Sequence, residues 1–311
     1  MPHLRFPAAL LLLTCSVMAF AQAVPPVFTE DVRETARLLA ERALASDLAY
    51  GITRDLTTQV GPRLAGTEQE ARARDWAVGT LEELGFANVR VEPFPLSLWT
   101  RGESVHEEAA IVAPFPQPLF ATSLGGAGGT PPEGLEAQIA FFDSFDDLLA
   151  SETGEDVLAG KVVFVNDRMT ATRTGEGYGW ANRKRRTAWL EAENRGASAV
   201  LIRSVGTSSH RFPHTGMMGF PEGRRASIPA LAVSAPDADQ IERIHERGET
   251  VRVRVRTGAD WREETTSGNV IAEIPGAGAP EEIVIIGAHL DSWDLGTGAL
   301  DDGAGVGIVT A

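Results

Sequence analysis

The residues whose types could do chemistry are crowded into one stretch, Gly287 to Gly305. It holds one imidazole, His289, and four carboxylates, Asp291, Asp294, Asp301 and Asp302. Imidazole nitrogen and carboxylate oxygen are the donors that zinc and related divalent metals take. Two ions could be held if one carboxylate bridges them and imidazoles with further carboxylates complete each sphere. Such a pair lowers the pKa of a bound water and clamps a reacting carbonyl. Another carboxylate would fix the histidine tautomer. The competing reading is plainer: acids in turns and caps, and a histidine satisfied at a strand end. Each residue taken singly fits that second reading, and the cluster leaves both standing.

The surrounding sequence must position these groups. Glu281-Glu282-Ile283-Val284-Ile285-Ile286, lying between Pro280 and Gly287, is an apolar β-branched run that predicts a buried strand of a parallel sheet. His289 and Asp291 then sit at its carboxyl end, where open α/β sheets bind ligands. Alternation sends both side chains to one face. Asp301 and Asp302 follow on the loop, and Gly303-Ala304-Gly305-Val306-Gly307 opens a helix.

Upstream, Thr29 caps a helix whose apolar residues, Val32, Ala36, Leu39, Ala43 and Leu44, recur at helical spacing. A second helix is predicted over 47–60. Gly61-Pro62-Arg63-Leu64-Ala65-Gly66-Thr67 reads as a loop. Thr67 caps a third helix over 68–84, with Trp76, Thr80, Leu81 and Leu84 as its apolar face and Gly85 as its stop. Strands are predicted over 88–94 and 109–113. From about Gly125 the texture becomes strand-rich, with strands over 137–142, 162–165, 199–202, 228–233 and 250–256 and helices over 181–195 and 237–247. This part reads as a separate domain inserted in the first. Its last strand alternates Val251-Arg252-Val253-Arg254-Val255-Arg256, the pattern of an exposed edge or one-sided strand. Ser267 to Gly276 returns to α/β texture.

The 311 residues, 43% hydrophobic and 23% charged, have a formal charge of −15. That acidity argues against a nucleic-acid partner, which needs a basic face. Residues 1–23 read as a cleaved signal peptide, with Arg5 in the n-region, Ala8 to Phe20 as the apolar core and small residues at the cleavage site. The core is shorter than the roughly 20 residues of a membrane span. A periplasmic or secreted protein with no membrane contact after cleavage is expected. Cys15, the only cysteine, lies in this segment, so the mature chain would carry no thiol.

His-Leu-Asp-Ser-Trp-Asp at 289–294, followed by Gly-Ala-Leu-Asp-Asp-Gly-Ala-Gly at 298–305, resembles the metal motif of the co-catalytic zinc exopeptidases. The wording is nearest to the carboxypeptidase Q-like peptidases. Gly61 to Thr67 followed by a helix resembles that family's N-terminal signature, and Asn269 to Gly276 the strand leading into its metal motif. Gly160 to Val165, Gly196 to Ile202 and Ile228 to Val233 resemble successive strands of a protease-associated domain. The resemblance spans nearly all of the mature chain. It implies an α/β fold, an incomplete zinc-exopeptidase α/β sandwich with an inserted strand-rich protease-associated domain. The implied organisation is signal 1–23, helical or pro-segment-like region 24–46, first peptidase part 47–122, insert 123–264, and resumed peptidase domain 265–311.

The resemblance also implies roles. His289 would bind one Zn2+, Asp301 would bridge two, and Asp291 would orient His289. The Asp301–Asp302 peptide would be cis. Asp294 receives no family role and is read as a turn acid. The family needs a later Glu-Glu pair, Asp and His, and the sequence ends at Ala311 before any of them. Glu82-Glu83, Glu107-Glu108 and Glu281-Glu282 are read as solvated pairs. The expectation is therefore the front part of a longer secreted peptidase, inactive alone, whose intact form hydrolyses short peptides and leaves room for a homodimer. A non-catalytic protease-associated binding protein and an aminopeptidase of the same family are the alternatives. His210 and His214 read as a substrate-facing loop, and Arg183-Lys184-Arg185-Arg186 as a solvated helix face. Ser292 lacks a nucleophile elbow, which disfavours a serine hydrolase.

Overall fold

The computed structural model describes residues 28–102, 106–278 and 281–311; the predicted signal segment and Cys15 lie outside them. The chain divides into two units, one reaching to Leu48 and one over Ala49–Thr310. In the first, α1 (Glu30–Leu44) starts where Thr29 accepts a hydrogen bond from the Val32 N–H. Arg37 then bridges Glu34 and Glu41 along its surface.

The second unit opens within α2 (Leu48–Asp55), which continues as a π-turn to Val60. After the loop 61–67, α3 (Glu68–Glu83) is capped by Thr67, which accepts from the Glu70 N–H. Its buried stripe is Glu70, Ala73 and Ala77 rather than the expected Trp76, Thr80, Leu81 and Leu84. Small residues let the helix lie close to β1 (Ala87–Thr100) and β10 (Asp260–Glu273), which pair antiparallel as a two-stranded ribbon. Buried Glu70 fastens that contact, accepting from the Ser267 hydroxyl at 3.1 Å and the Gly66 N–H at 3.3 Å.

Between the ribbon strands runs an eight-stranded sheet. Its parallel centre is β5 (Leu135–Phe142), β6 (Val162–Val165), β7 (Ala199–Arg203) and β8 (Ala230–Val233). The strands β6 to β8 are buried on both faces, as continuous apolar runs require. Val163, Val165, Val200 and Ile202 pack under α5 (Glu176–Glu193). Val162, Phe164, Leu201 and Leu231 pack under α6 (Ala235–Glu246). A short helix, α4 (Phe145–Ala150), adds Phe145 and Leu148 to the α5 side. Further strands extend the sheet: β2 (Glu108–Ala113), β3 (Gln117–Leu119), β4 (Ala121–Ser123) and β9 (Arg252–Arg256).

Several expectations change. Strands β2 to β4 belong to this sheet, pairing with β9 and β8, so a boundary at 122/123 falls inside it. β9 is one-sided as its alternation requires, but it lies between β2 and β5 and is not an edge. Helix α5 starts at Glu176, five residues before the predicted start. Its buried stripe, Ala181, Lys184, Arg185, Ala188, Trp189 and Ala192, follows the helical period. Lys184 and Arg185 therefore leave the solvated face assigned to the basic run. Glu107 is not a solvated acid either: it accepts from Thr122 and from the Ser123 N–H.

The largest departure is 281–286. The segment is irregular rather than a buried strand, and Val284 is 90% exposed. A parallel strand needs hydrogen-bonded neighbours and apolar cover on both faces. Among the described residues no strand pairs with this run.

Candidate metal centre

His289 and Asp291 meet without a strand to align them. The imidazole Nδ1 lies 3.2 Å from Asp291 Oδ1 and 3.1 Å from the Asp291 carbonyl oxygen. The other ring nitrogen, Nε2, lies 2.8 Å from Asp301 Oδ1. The three residues thus form a line, carboxylate, imidazole, carboxylate. The His289 pKa is raised. Partial burial alone would lower it, but the hydrogen bond to Asp301 and the charge of Asp291 outweigh that. Asp302 is not part of the line; its carboxylate accepts from the His289 backbone N–H at 3.3 Å. The Asp301–Asp302 peptide is cis. The chain then enters α7 (Ala304–Thr310).

The loop from His289 to Asp301 is held from three sides. From the loop 61–67, fully buried Arg63 donates to the carbonyls of Leu290, Thr297 and Gly298 and to its neighbour Gly61. Burial lowers its pKa, and Asp291 opposes that shift. From α2, Thr53 donates to the Gly303 carbonyl at 3.1 Å. From the end of β1, Arg101 pairs with both oxygens of Asp294. Gly298 makes the return turn possible. Its φ is 61°, and a Cβ there would lie 2.4 Å from the Ser292 Cβ. Ser292 is a structural hydroxyl in this arrangement, accepting from the Arg63 N–H and donating to the Trp293 carbonyl.

A cavity of about 290 Å³ opens beside His289 and Asp301. Its walls include Leu64, Leu96, Leu98, Met217 and Trp293. Met217 comes from the loop after β7 that also carries His210 and His214, so that loop does reach the cleft. His214 itself is exposed and lies beside Arg185; partial desolvation, followed by that cation, lowers its pKa.

Sequence reasoning singled out the line His289, Asp291, Asp301, which the structure brings together. It missed Arg63 and Arg101, and it read Asp294 as an ordinary turn acid. The available signal was an arginine inside a short Gly-Pro-bounded loop, where no acid neighbour explains its charge.

Residues 269–311 match peptidase family M28. Carboxypeptidase Q of Bos taurus is 36% identical over 275 residues, covering 88% of this chain and 56% of that protein. The chain belongs to peptidase family M28. The human carboxypeptidase Q is 34% identical over 277 residues, with the same coverage of 88% and 56%. The chain thus spans about half the length of the curated relatives it matches. Among solved structures, a peptidase M28 precursor from Shewanella amazonensis SB2B is 47% identical with a TM-score of 0.84, covering 91% of this chain and 63% of that one. A zinc aminopeptidase from Bacillus subtilis is 20% identical with a TM-score of 0.58, covering 85% and 56%, a likeness of fold alone.

The M28 donor set can be tested against these residues. One imidazole nitrogen and one carboxylate oxygen converge, and Asp291 backs the imidazole, which is the chemistry zinc takes. They fit as part of a site. Four-coordinate zinc needs more donors, and among the described residues no group of three His, Cys, Asp or Glu converges.

Proposed function

We propose that the protein to which these residues belong is a zinc-dependent exopeptidase that hydrolyses short, unblocked peptides. In this reading His289 and Asp301 would hold zinc, with Asp301 shared between two ions as the resemblance implies, and Asp291 would orient His289. The eight-stranded sheet is a protease-associated domain, and residues 1–23 direct export. The observation that carries the reading is the line Asp291, His289, Asp301 on an arginine-clamped loop of an M28 chain.

Zinc, when bound, supplies a Lewis acid for attack on a peptide carbonyl. The chain's own residues do the rest. Asp291 accepts at Nδ1 and so turns Nε2 toward Asp301; there Nε2 hydrogen-bonds the carboxylate, and it would have to lose its proton to bind zinc. Arg63 keeps the two ends of the loop at fixed separation by gripping carbonyls near both. Leu96, Leu98 and Trp293 give the cleft an apolar lining against which a substrate side chain could pack.

The test is hydrolysis of dipeptides by the whole protein, with and without chelator, alongside zinc content per chain. Substrates acylated at the amino end and amidated at the carboxyl end separate aminopeptidase from carboxypeptidase action. A protein that takes up no zinc and cleaves nothing would be the non-catalytic binding protein instead.

A further inference from the structure

Two consecutive residues of the metal loop, Trp293 and Asp294, dock on the eight-stranded sheet. The Trp293 ring packs against Gly125, where a Cβ would lie 2.5 Å from its edge. Gly125 is itself tied to the Met217 segment, donating to the Gly216 carbonyl and accepting from the Met218 N–H, both at 2.9 Å. Asp294 accepts from Arg101 Nε at 2.7 Å and from Nη2 at 3.1 Å.

Arg101 is only 9% exposed and commits its whole fork. Besides Asp294 it donates to the Thr122 hydroxyl and Ser123 carbonyl of β4 and to the Thr215 hydroxyl before Met217. Its guanidinium also stacks on Trp99 at 5.2 Å. One planar cation therefore joins the end of β1, the edge strand β4, the Met217 loop and the metal loop. A lysine, with a point charge and no fork, cannot reproduce that geometry.

We infer that Arg101 is a positioning residue: through Asp294 it fixes the metal loop to the eight-stranded sheet and so sets where Trp293 packs beside Met217 in the lining of the cleft. The inference rests on reading the cleft as the peptidase site. It makes the sheet a working part of that site, because Met217 from the sheet side and Trp293 from the metal loop would line it together.

The experiment compares wild type, Arg101→Lys and Asp294→Asn in the whole protein. The first readout is hydrogen exchange at the amides of Ser292 and Gly303, which are bonded to the carbonyls of Arg63 and Gly298. Both variants should accelerate it by about tenfold or more, as loss of a charged hydrogen bond implies, with β7 amides unchanged. The second readout is dipeptide hydrolysis, where KM should rise about tenfold while kcat stays within about threefold, because the loss falls on substrate binding. Unchanged exchange at both amides overturns the inference, as does equal acceleration in β7, which would mean general loosening. A shift in kcat with KM constant also overturns it. A wild type that lacks zinc-dependent hydrolysis overturns the peptidase reading instead, and the exchange readout still decides the role of Arg101.

Discussion

Arg63 and Ser292 exchange hydrogen bonds across 229 positions of the chain. The Arg63 N–H donates to Ser292 Oγ at 3.2 Å, and the Ser292 N–H donates to the Arg63 carbonyl at 3.1 Å. The Arg63 guanidinium then takes the carbonyls of Leu290, Thr297 and Gly298. Among the described residues no carboxylate accepts a hydrogen bond from it, so this cation is held mainly by backbone carbonyls, with the charge of Asp291 nearby, and serves to shape a loop.

Removing that fork should be costly. Arg63→Met leaves several buried carbonyls unpaired, each worth about 1 kcal/mol or more. The expected loss is roughly 3 kcal/mol in urea unfolding, with faster proteolysis between His289 and Asp301. Arg63→Lys should recover less than half of the loss, since one ammonium cannot reach carbonyls on both arms of the loop.

Asp291 meets His289 at Nδ1, the ring nitrogen away from Asp301. Asp291→Asn should keep the fold and weaken zinc binding by about 10–100-fold, the usual effect of removing a carboxylate behind a ligating histidine. Zinc titration of the whole protein checks this. An affinity within about twofold of wild type would show that Asp291 does not orient His289.

Glu70 is 2% exposed and accepts from Ser267, Gly66 and Arg74. Glu70→Ala leaves those donors facing each other without an acceptor. Thermal unfolding should report a loss of about 2–3 kcal/mol. Glu68→Ala, at an exposed position on the same helix turn, should change stability by less than about 0.5 kcal/mol.

Lys184 is buried on α5, and burial lowers its pKa to about 8 from 10.5; Asp167 opposes the shift, while Arg203 and Arg185 add to it. Below pH 8 both folded and unfolded chains carry the proton, and the folded state bears the cost of burying it. Between about pH 8 and 10.5 the unfolded chain binds more protons, so this site adds stability as pH rises. Relative to Lys184→Met, the wild type should gain on the order of 2 kcal/mol between about pH 7.5 and 9.5. A constant difference would mean that Lys184 stays protonated in the folded state.

What could be read from sequence follows from the range of the interactions. Thr67 before an acid-rich turn and the apolar runs at 162–165 and 199–202 are local patterns, and α3, β6 and β7 form where those patterns lie. His289, Asp291 and Asp301 are close in sequence, so their meeting needed only a tight loop. Arg63 and Arg101 act on residues about two hundred positions away, and no local pattern encodes such a contact. The run 281–286 shows the opposite failure. Its composition is that of a strand, but a strand also needs neighbours. Lys184 and Arg185 lie on the buried face of α5 because the helical period, not charge, decides which face is buried.

The central claim is that His289 and Asp301 hold zinc for peptide hydrolysis. The most direct measurement is zinc content together with dipeptide hydrolysis for the whole protein as wild type, His289→Ala and Asp301→Ala. The account predicts chelator-sensitive cleavage by the wild type and, in both variants, loss of bound zinc with a fall in rate of at least about a thousandfold, a part of the several kcal/mol that metal polarisation supplies. Cleavage that survives chelation, or variants that keep their zinc and their rate, would contradict it.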